Sequence, residues 1–120
     1  MRVFVTGWDG LLGSALVPLL SESHQVSGMG IADGDIADPR LVRARLDAFR
    51  PDAVVHLAAM TAVDACEDDE AEAFRVNAEG SRVVAAESER LEARVLAVSS
   101  DYVFDGAKGA PTPRTTPPVP

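Results

Sequence analysis

Thr6-Gly7-Trp8-Asp9-Gly10-Leu11-Leu12-Gly13 is the stretch whose reading decides the fold. Just before it, Arg2–Thr6 is short, apolar and unbroken, the pattern of a strand buried on both faces. Just after it, Leu12, Ala15, Leu16, Leu19 and Leu20 recur at three- and four-residue spacing, which predicts an amphipathic helix. A glycine-rich turn between strand and helix suits a phosphate. Gly7 permits the tight turn, Gly10 lets a pyrophosphate approach the backbone without meeting a Cβ, and Gly13 lets the helix pack closely on the strand. The helix N-terminus adds unpaired N–H groups and the positive end of a dipole.

Working outward, the same alternation continues. Gln25–Met29 reads as a second strand. Asp38 then caps a helix with Pro39 in its first turn, Val42, Leu46 and Phe49 as its apolar stripe, and Arg50-Pro51-Asp52 as its stop. Ala53–Ala58 is a third strand. A long helix is predicted from about Asp69 to Leu91, with Phe74, Asn77, Ala78, Val84 and Ala85 toward its inner side. Gly80 inside it costs about 1 kcal/mol relative to alanine, which predicts close packing there. Ala93–Ser99 is a fourth strand. Beyond Gly106 the composition changes, and five of the eight prolines lie between Pro111 and Pro120, an extended loop. Strand and helix in alternation imply βαβ units and an α/β fold, a Rossmann-type doubly wound parallel sheet of which these elements form a partial, N-terminal half. Ligands of such sheets bind at the carboxyl ends of the strands.

Composition narrows the choice of partner. The 120 residues are 47% hydrophobic and 25% charged, with a mean hydropathy of +0.05, ordinary for one globular domain. Nineteen acids against eleven Lys+Arg give a net charge of −8, a field that repels nucleic acid and anionic membrane. One cysteine, Cys66, rules out an internal disulfide and a multi-cysteine metal site, and no basic neighbour in sequence activates it as a nucleophile. The chain opens on an apolar strand rather than a signal peptide or membrane span, so the expected compartment is the cytoplasm. The acidic run from Asp64 to Glu72 is explained by its place at a helix start, and no metal is expected.

Three further strings sit after strands or on the long helix. These are Val55-His56-Leu57-Ala58-Ala59-Met60-Thr61-Ala62-Val63-Asp64-Ala65-Cys66-Glu67, Val76-Asn77-Ala78-Glu79-Gly80, and Ser99-Ser100-Asp101-Tyr102-Val103-Phe104-Asp105-Gly106. The three-by-three glycine spacing resembles the short-chain dehydrogenase/reductases, in particular their extended, sugar-nucleotide branch. All the strings together resemble the dTDP-4-dehydrorhamnose reductase family within it. The resemblance runs from Met1 to about Pro120, and the last string is its most specific part.

That resemblance implies NADPH or NADH as cofactor and a dTDP-sugar as substrate. Residues 1–110 become an incomplete NAD(P)-binding domain, and 111–120 a Pro-rich loop. It implies that Gly7, Trp8, Asp9, Gly10, Leu11, Leu12 and Gly13 form the pyrophosphate turn, that Asp35 and Ile36 flank adenine, and that Leu57, Ala58, Ala59 and Ser99 line the nicotinamide side. Thr61, Val63 and Tyr102 would approach the sugar nucleotide. Ser100 would be catalytic, donating a hydrogen bond to the C4 carbonyl oxygen as it gains negative charge. A homodimer is implied for the complete enzyme. From the residues alone, Asp35 serves equally as a turn former, and Ser99 and Ser100 as the closing of a turn. His56, between Val55 and Leu57, reads as a packed core residue, and Asn77 as a buried bond to a neighbouring loop. No acid ends the second strand at Gly28-Met29-Gly30, so NAD against NADP stays open; Asp33 is the nearest candidate for the ribose.

The wider family moves its proton with a tyrosine acidified by a lysine four residues on. Here the single tyrosine, Tyr102, has Gly106 at that distance, and the single lysine, Lys108, stands six residues away. The expectation is therefore an N-terminal fragment that binds but does not turn over. The alternatives are another epimerase or dehydratase of the extended branch, and a non-catalytic dinucleotide-binding regulatory module.

Overall fold

The computed structural model describes residues 1–115, 117 and 118. Four parallel strands, β1 (Arg2–Thr6), β2 (Gln25–Met29), β3 (Ala53–His56) and β4 (Arg94–Ala97), lie in the order β2-β1-β3-β4. Helix α1 (Leu11–Ser21) joins β1 to β2, and α2 (Pro39–Phe49) joins β2 to β3. Between β3 and β4 come α3 (Val63–Asp68), α4 (Glu70–Phe74), a π-helical turn over Arg75–Glu79, and α5 (Gly80–Arg90). Among the described residues no helix is long and apolar enough to cross a membrane.

Crossover direction assigns each helix to a face. The β1-to-β2 step runs one way across the sheet, and the β2-to-β3 and β3-to-β4 steps run the other way. Right-handed crossovers therefore put α1 on one face and α2 with α5 on the opposite one. The core forms on the α2/α5 face, where Phe4, Met29, Val42, Leu46, Val54, Val83 and Val84 are buried. Phe49 joins it by packing on Phe4, ring centroids 6.1 Å apart, with the Arg2 guanidinium over the Phe49 ring at 4.8 Å. Arg43 of α2 grips Glu87 of α5 with two hydrogen bonds of 3.0 Å, and Arg90 reaches both Glu87 and Asp47.

Several expectations need correction. The amphipathic stripe of α1 is not buried: Leu12, Ala15 and Leu19 are exposed, Leu16 and Leu20 half-buried, and only Gly13 is sealed. The predicted third strand stops at His56 instead of Ala58: the Leu57 amide still donates to the Thr6 carbonyl at 3.1 Å, but the Ala58 amide turns to the Thr6 hydroxyl. The fourth strand is Arg94–Ala97 rather than Ala93–Ser99. The single helix over 69–91 is three segments, preceded by α3, with Asp69 breaking the run and capping α4 through Glu72 N at 3.0 Å. Phe74 is 73% exposed rather than inward, since the wide π turn rotates everything before it relative to α5. Ala78 and Ala85 are also exposed, and Val83 takes the inner place beside Val84.

Other expectations hold. The Asp38 carboxylate accepts from Arg40 N at 2.9 Å with Pro39 in the first turn. A Cβ on Gly80 would sit 2.7 Å from Ile36 Cγ2, the close packing its cost predicted. His56 is a buried residue, and Asn77 binds a neighbouring loop. The Pro-rich segment is without helix or strand at the described positions; Thr116, Val119 and Pro120 of it lie outside the described residues.

Candidate functional site

The strand order reverses direction at β1, whose neighbours β2 and β3 lead their crossovers to opposite faces. A crevice opens there, at the carboxyl ends of the strands, as it must at a topological switch point. Its volume is about 630 Å³. The floor is Gly7, Asp9 and Gly10; Met29, Gly30 and Ile31 rise beyond β2, and Leu57, Ala58 and Ala59 beyond β3. Gly34, Asp35 and Ile36 close one end, together with Glu72, Arg75 and Val76 from the helical side.

The glycines do what the turn requires. Gly7 has φ +69°, and a Cβ on it would lie 2.8 Å from Ala58 N, so the two walls meet at bare backbone. Gly13 is packed under the carbonyls of Gly7 and Trp8. Gly10 is the N-cap of α1 in extended conformation and offers no side-chain acceptor to the first-turn amides. Those N–H groups stay free for an anion, with the dipole behind them. Trp8 leans over Gly28, while Leu11 and Leu12 point to solvent; these three and Gly13 shape the turn from outside the crevice.

Asp35 and Arg75 organise the far end. The Asp35 carboxylate accepts from Ala37 N at 2.9 Å and pairs with the Arg75 guanidinium. Arg75 also clasps Glu72 with two bonds of 2.7 Å. The Ala37 amide first, then Arg75, holds the Asp35 carboxyl below its ordinary range; the Arg75 bond does the same for Glu72. Arg75 is itself raised by these two partners, Glu72 before Asp35, and stays charged. Asp33 does not reach into the crevice. Its carboxylate accepts from Gly30 N at 2.8 Å and meets Arg45 at 3.3 Å.

Of the residues singled out from sequence, Gly7, Asp9, Gly10, Asp35, Ile36, Leu57, Ala58 and Ala59 converge on this crevice. Thr61, Val63, Ser99, Ser100 and Tyr102 do not line it; all five are exposed, Tyr102 to 80%. They share the carboxyl end of the sheet, following β3 and β4. Sequence reading missed Met29, Gly30, Ile31 and Gly34 on the β2 side, and Glu72, Arg75 and Val76 on the helical side. The one available signal was the Glu72–Arg75 spacing of three, which pairs side chains on a helix.

The whole chain, residues 1–120, matches the family model of the RmlD substrate binding domain. The chain belongs to that family. It is 38% identical over 120 residues to a dTDP-4-dehydrorhamnose reductase of Burkholderia thailandensis, covering 100% of this chain and 40% of that protein. A dTDP-4-dehydrorhamnose reductase structure from Clostridium acetobutylicum superposes with a TM-score of 0.94 at 31% identity, over 100% of this chain and 43% of the other. The Bacillus anthracis dTDP-4-dehydrorhamnose reductase, solved in complex with NADP, gives 0.85 at 34% identity, over 89% and 39%. The 120 residues thus span less than half the length of each of these proteins.

Proposed function

We propose that the crevice binds NADPH or NADH, and that the protein built on this chain reduces the 4-keto group of dTDP-4-dehydro-6-deoxy-L-mannose. The observation that carries the reading is the uncapped start of α1 behind Gly7 and Gly10, facing a cleft at the switch point. The amides of Leu11 and Leu12 hold the pyrophosphate, and Asp35 and Ile36 flank the adenine. The small side chains of Ala58 and Ala59 leave room for the flat nicotinamide. When bound, the dinucleotide would supply the hydride that reduces C4 of the keto sugar. Ser100 donates a hydrogen bond to the C4 carbonyl oxygen, where negative charge develops. Ser99 completes the nicotinamide side, and Thr61, Val63 and Tyr102 receive the sugar nucleotide. A homodimer and a cytoplasmic location, where the reductant is at hand, belong to the same reading. The 120 residues alone bind without turnover, because Tyr102 has Gly106 where a phenol-acidifying lysine is required.

The test begins with Gly10. A Cβ there meets only Gly7 O, at a tight 3.2 Å that a shift of a few tenths of an ångström relieves, so Gly10→Val, its fold checked by circular dichroism, blocks the pyrophosphate. Titration with NADPH and NADH is expected to show binding by the wild type and none by the variant; equal binding by both sinks the assignment. In the full-length protein, turnover of the dTDP-4-keto sugar in preference to UDP- and GDP-sugars is expected, with Ser100→Ala slower by roughly 10²-fold or more.

A further inference from the structure

Between the sheet and α5 runs a set of buried hydrogen bonds that hydride transfer does not use. The Thr6 hydroxyl oxygen lies 3.2 Å from the amide nitrogens of both Leu57 and Ala58 and 2.7 Å from His56 Nδ1. A hydroxyl has two lone pairs and one hydrogen. The Ala58 amide takes one lone pair, and the Leu57 amide, which also donates to the Thr6 carbonyl at 3.1 Å, shares the other. Among the described residues the hydroxyl hydrogen then has Nδ1 as its acceptor, so Nδ1 is bare. The imidazole then carries its proton on Nε2, 2.9 Å from Ser81 Oγ. The Ser81 hydroxyl donates in turn to the Asn77 carbonyl at 2.5 Å. With the imidazole reversed, the Thr6 hydroxyl hydrogen would lose its acceptor and Ser81 would have to surrender its bond to Asn77. One tautomer satisfies every member. Burial also lowers the pKa of this imidazole, which favours the neutral ring.

Both ends of this chain act on the same segment. Thr6 holds the start of Leu57–Met60 through the two amides. The Asn77 side chain holds its end, accepting from Met60 N at 2.7 Å and donating to Met60 O at 3.0 Å. Between the anchors stand Leu57, Ala58 and Ala59, one wall of the crevice.

We propose that His56, fixed as the Nε2–H tautomer between Thr6 and Ser81, is a positioning residue that ties the two anchors of the Leu57–Met60 wall into one rigid unit. The inference rests on the dinucleotide reading of the crevice. It concerns how the wall is held, not what the ligand is.

The full-length protein, labelled with ¹⁵N, provides the test. The imidazole signals are expected to show a protonated Nε2 and a bare Nδ1. Ser81 lines no part of the crevice, so Ser81→Ala cuts the chain without touching the ligand. It should speed amide exchange at Leu57, Ala58 and Met60 and weaken NADPH and NADH binding about fivefold, the equivalent of one hydrogen bond. Ser81→Thr, which keeps the hydroxyl, should restore both. His56→Asn gives a second arm: it keeps an acceptor for Thr6 but loses the link to Ser81, so it should behave like Ser81→Ala. A protonated Nδ1 overturns the proposal, as do exchange and affinity within twofold of wild type in both cut variants. If the wild type binds neither dinucleotide, the functional reading falls, and the imidazole and exchange data still decide how the wall is held.

Discussion

Val54 and Leu96 are aliphatic residues on adjacent strands, yet Val54 is sealed and Leu96 is 59% exposed. Val54 pairs in register with Val95, so Leu96 points to the other side of the sheet. On the side of Val54, two crossovers in the same direction deliver α2 and α5 as a layer that covers all but the edge strand, where Val95 stays 42% exposed. On the side of Leu96 a single crossover delivers α1, which lies over β1 and β2 and leaves the flank of β3 and β4 uncovered. Leu12, Leu19, Leu96 and Val98 are all at least half exposed there. Hydropathy marks which residues call for cover; crossover direction decides on which face the cover arrives.

The contrast is open to direct attack. The largest effect is expected from Leu46→Ala on the covered side, where a fully buried side chain leaves a cavity: a loss of about 2–5 kcal/mol in denaturant unfolding. A cost near zero would mean that the α2/α5 layer is not packed as described. Next comes Glu87→Ala, which unties α2 from α5 at Arg43 and Arg90. Both arginines remain in reach of water, so about 1 kcal/mol is expected, and less in high salt.

A pH effect follows from His56 on the same side. Burial lowers its pKa below the ordinary 6.5. The unfolded chain therefore binds a proton that the folded one resists. The stability at stake is fully present above about pH 6.5 and is lost as pH falls from there through the folded value. Melting temperatures of wild type and His56→Asn between pH 7.5 and 5 should converge on acidification; parallel curves would contradict it. The smallest effect is expected on the open side. Leu96→Asp should shift stability by no more than about 0.5 kcal/mol while reducing the binding of an apolar fluorescent dye. A loss as large as that of Leu46→Ala would show that this face is covered in solution.

What sequence could convey divides along the same lines. β1 and β2 are legible to the residue, and so is the cap at Asp38, because strand hydropathy and capping chemistry are local. The glycine turn is legible because the positive φ of Gly7 and the packing of Gly13 under the Gly7 and Trp8 carbonyls are demands made within the turn itself. Asn77 was legible through its misfit: an amide inside a helix needs a partner elsewhere, and Met60 is that partner. Arg75 was not, because its meeting with Asp35 joins residues 40 positions apart, and nothing local announces it. The burial of α1 was misjudged for a comparable reason: an apolar stripe records a need for cover and says nothing of the layer that would meet it. The end of β3 at His56 goes with the capture of the Ala58 amide by the Thr6 hydroxyl, a side chain 52 residues earlier.

The π turn at Arg75–Glu79 has an arithmetical consequence. Beyond it, α5 must present Val83 and Val84 to the sheet; at its start, Arg75 must face Asp35, and Asn77 must face Met60. One continuous α-helical phase does not serve both halves, and the wider turn supplies the missing fraction of a rotation. A deletion of one residue between 75 and 79 would repair the helix and ruin the alignment, swinging the amino-terminal half by about 100° and carrying Arg75 away from the crevice. Length here is part of the specification: Arg75 and Asn77 fix what this segment must present, and no change in count leaves both in place.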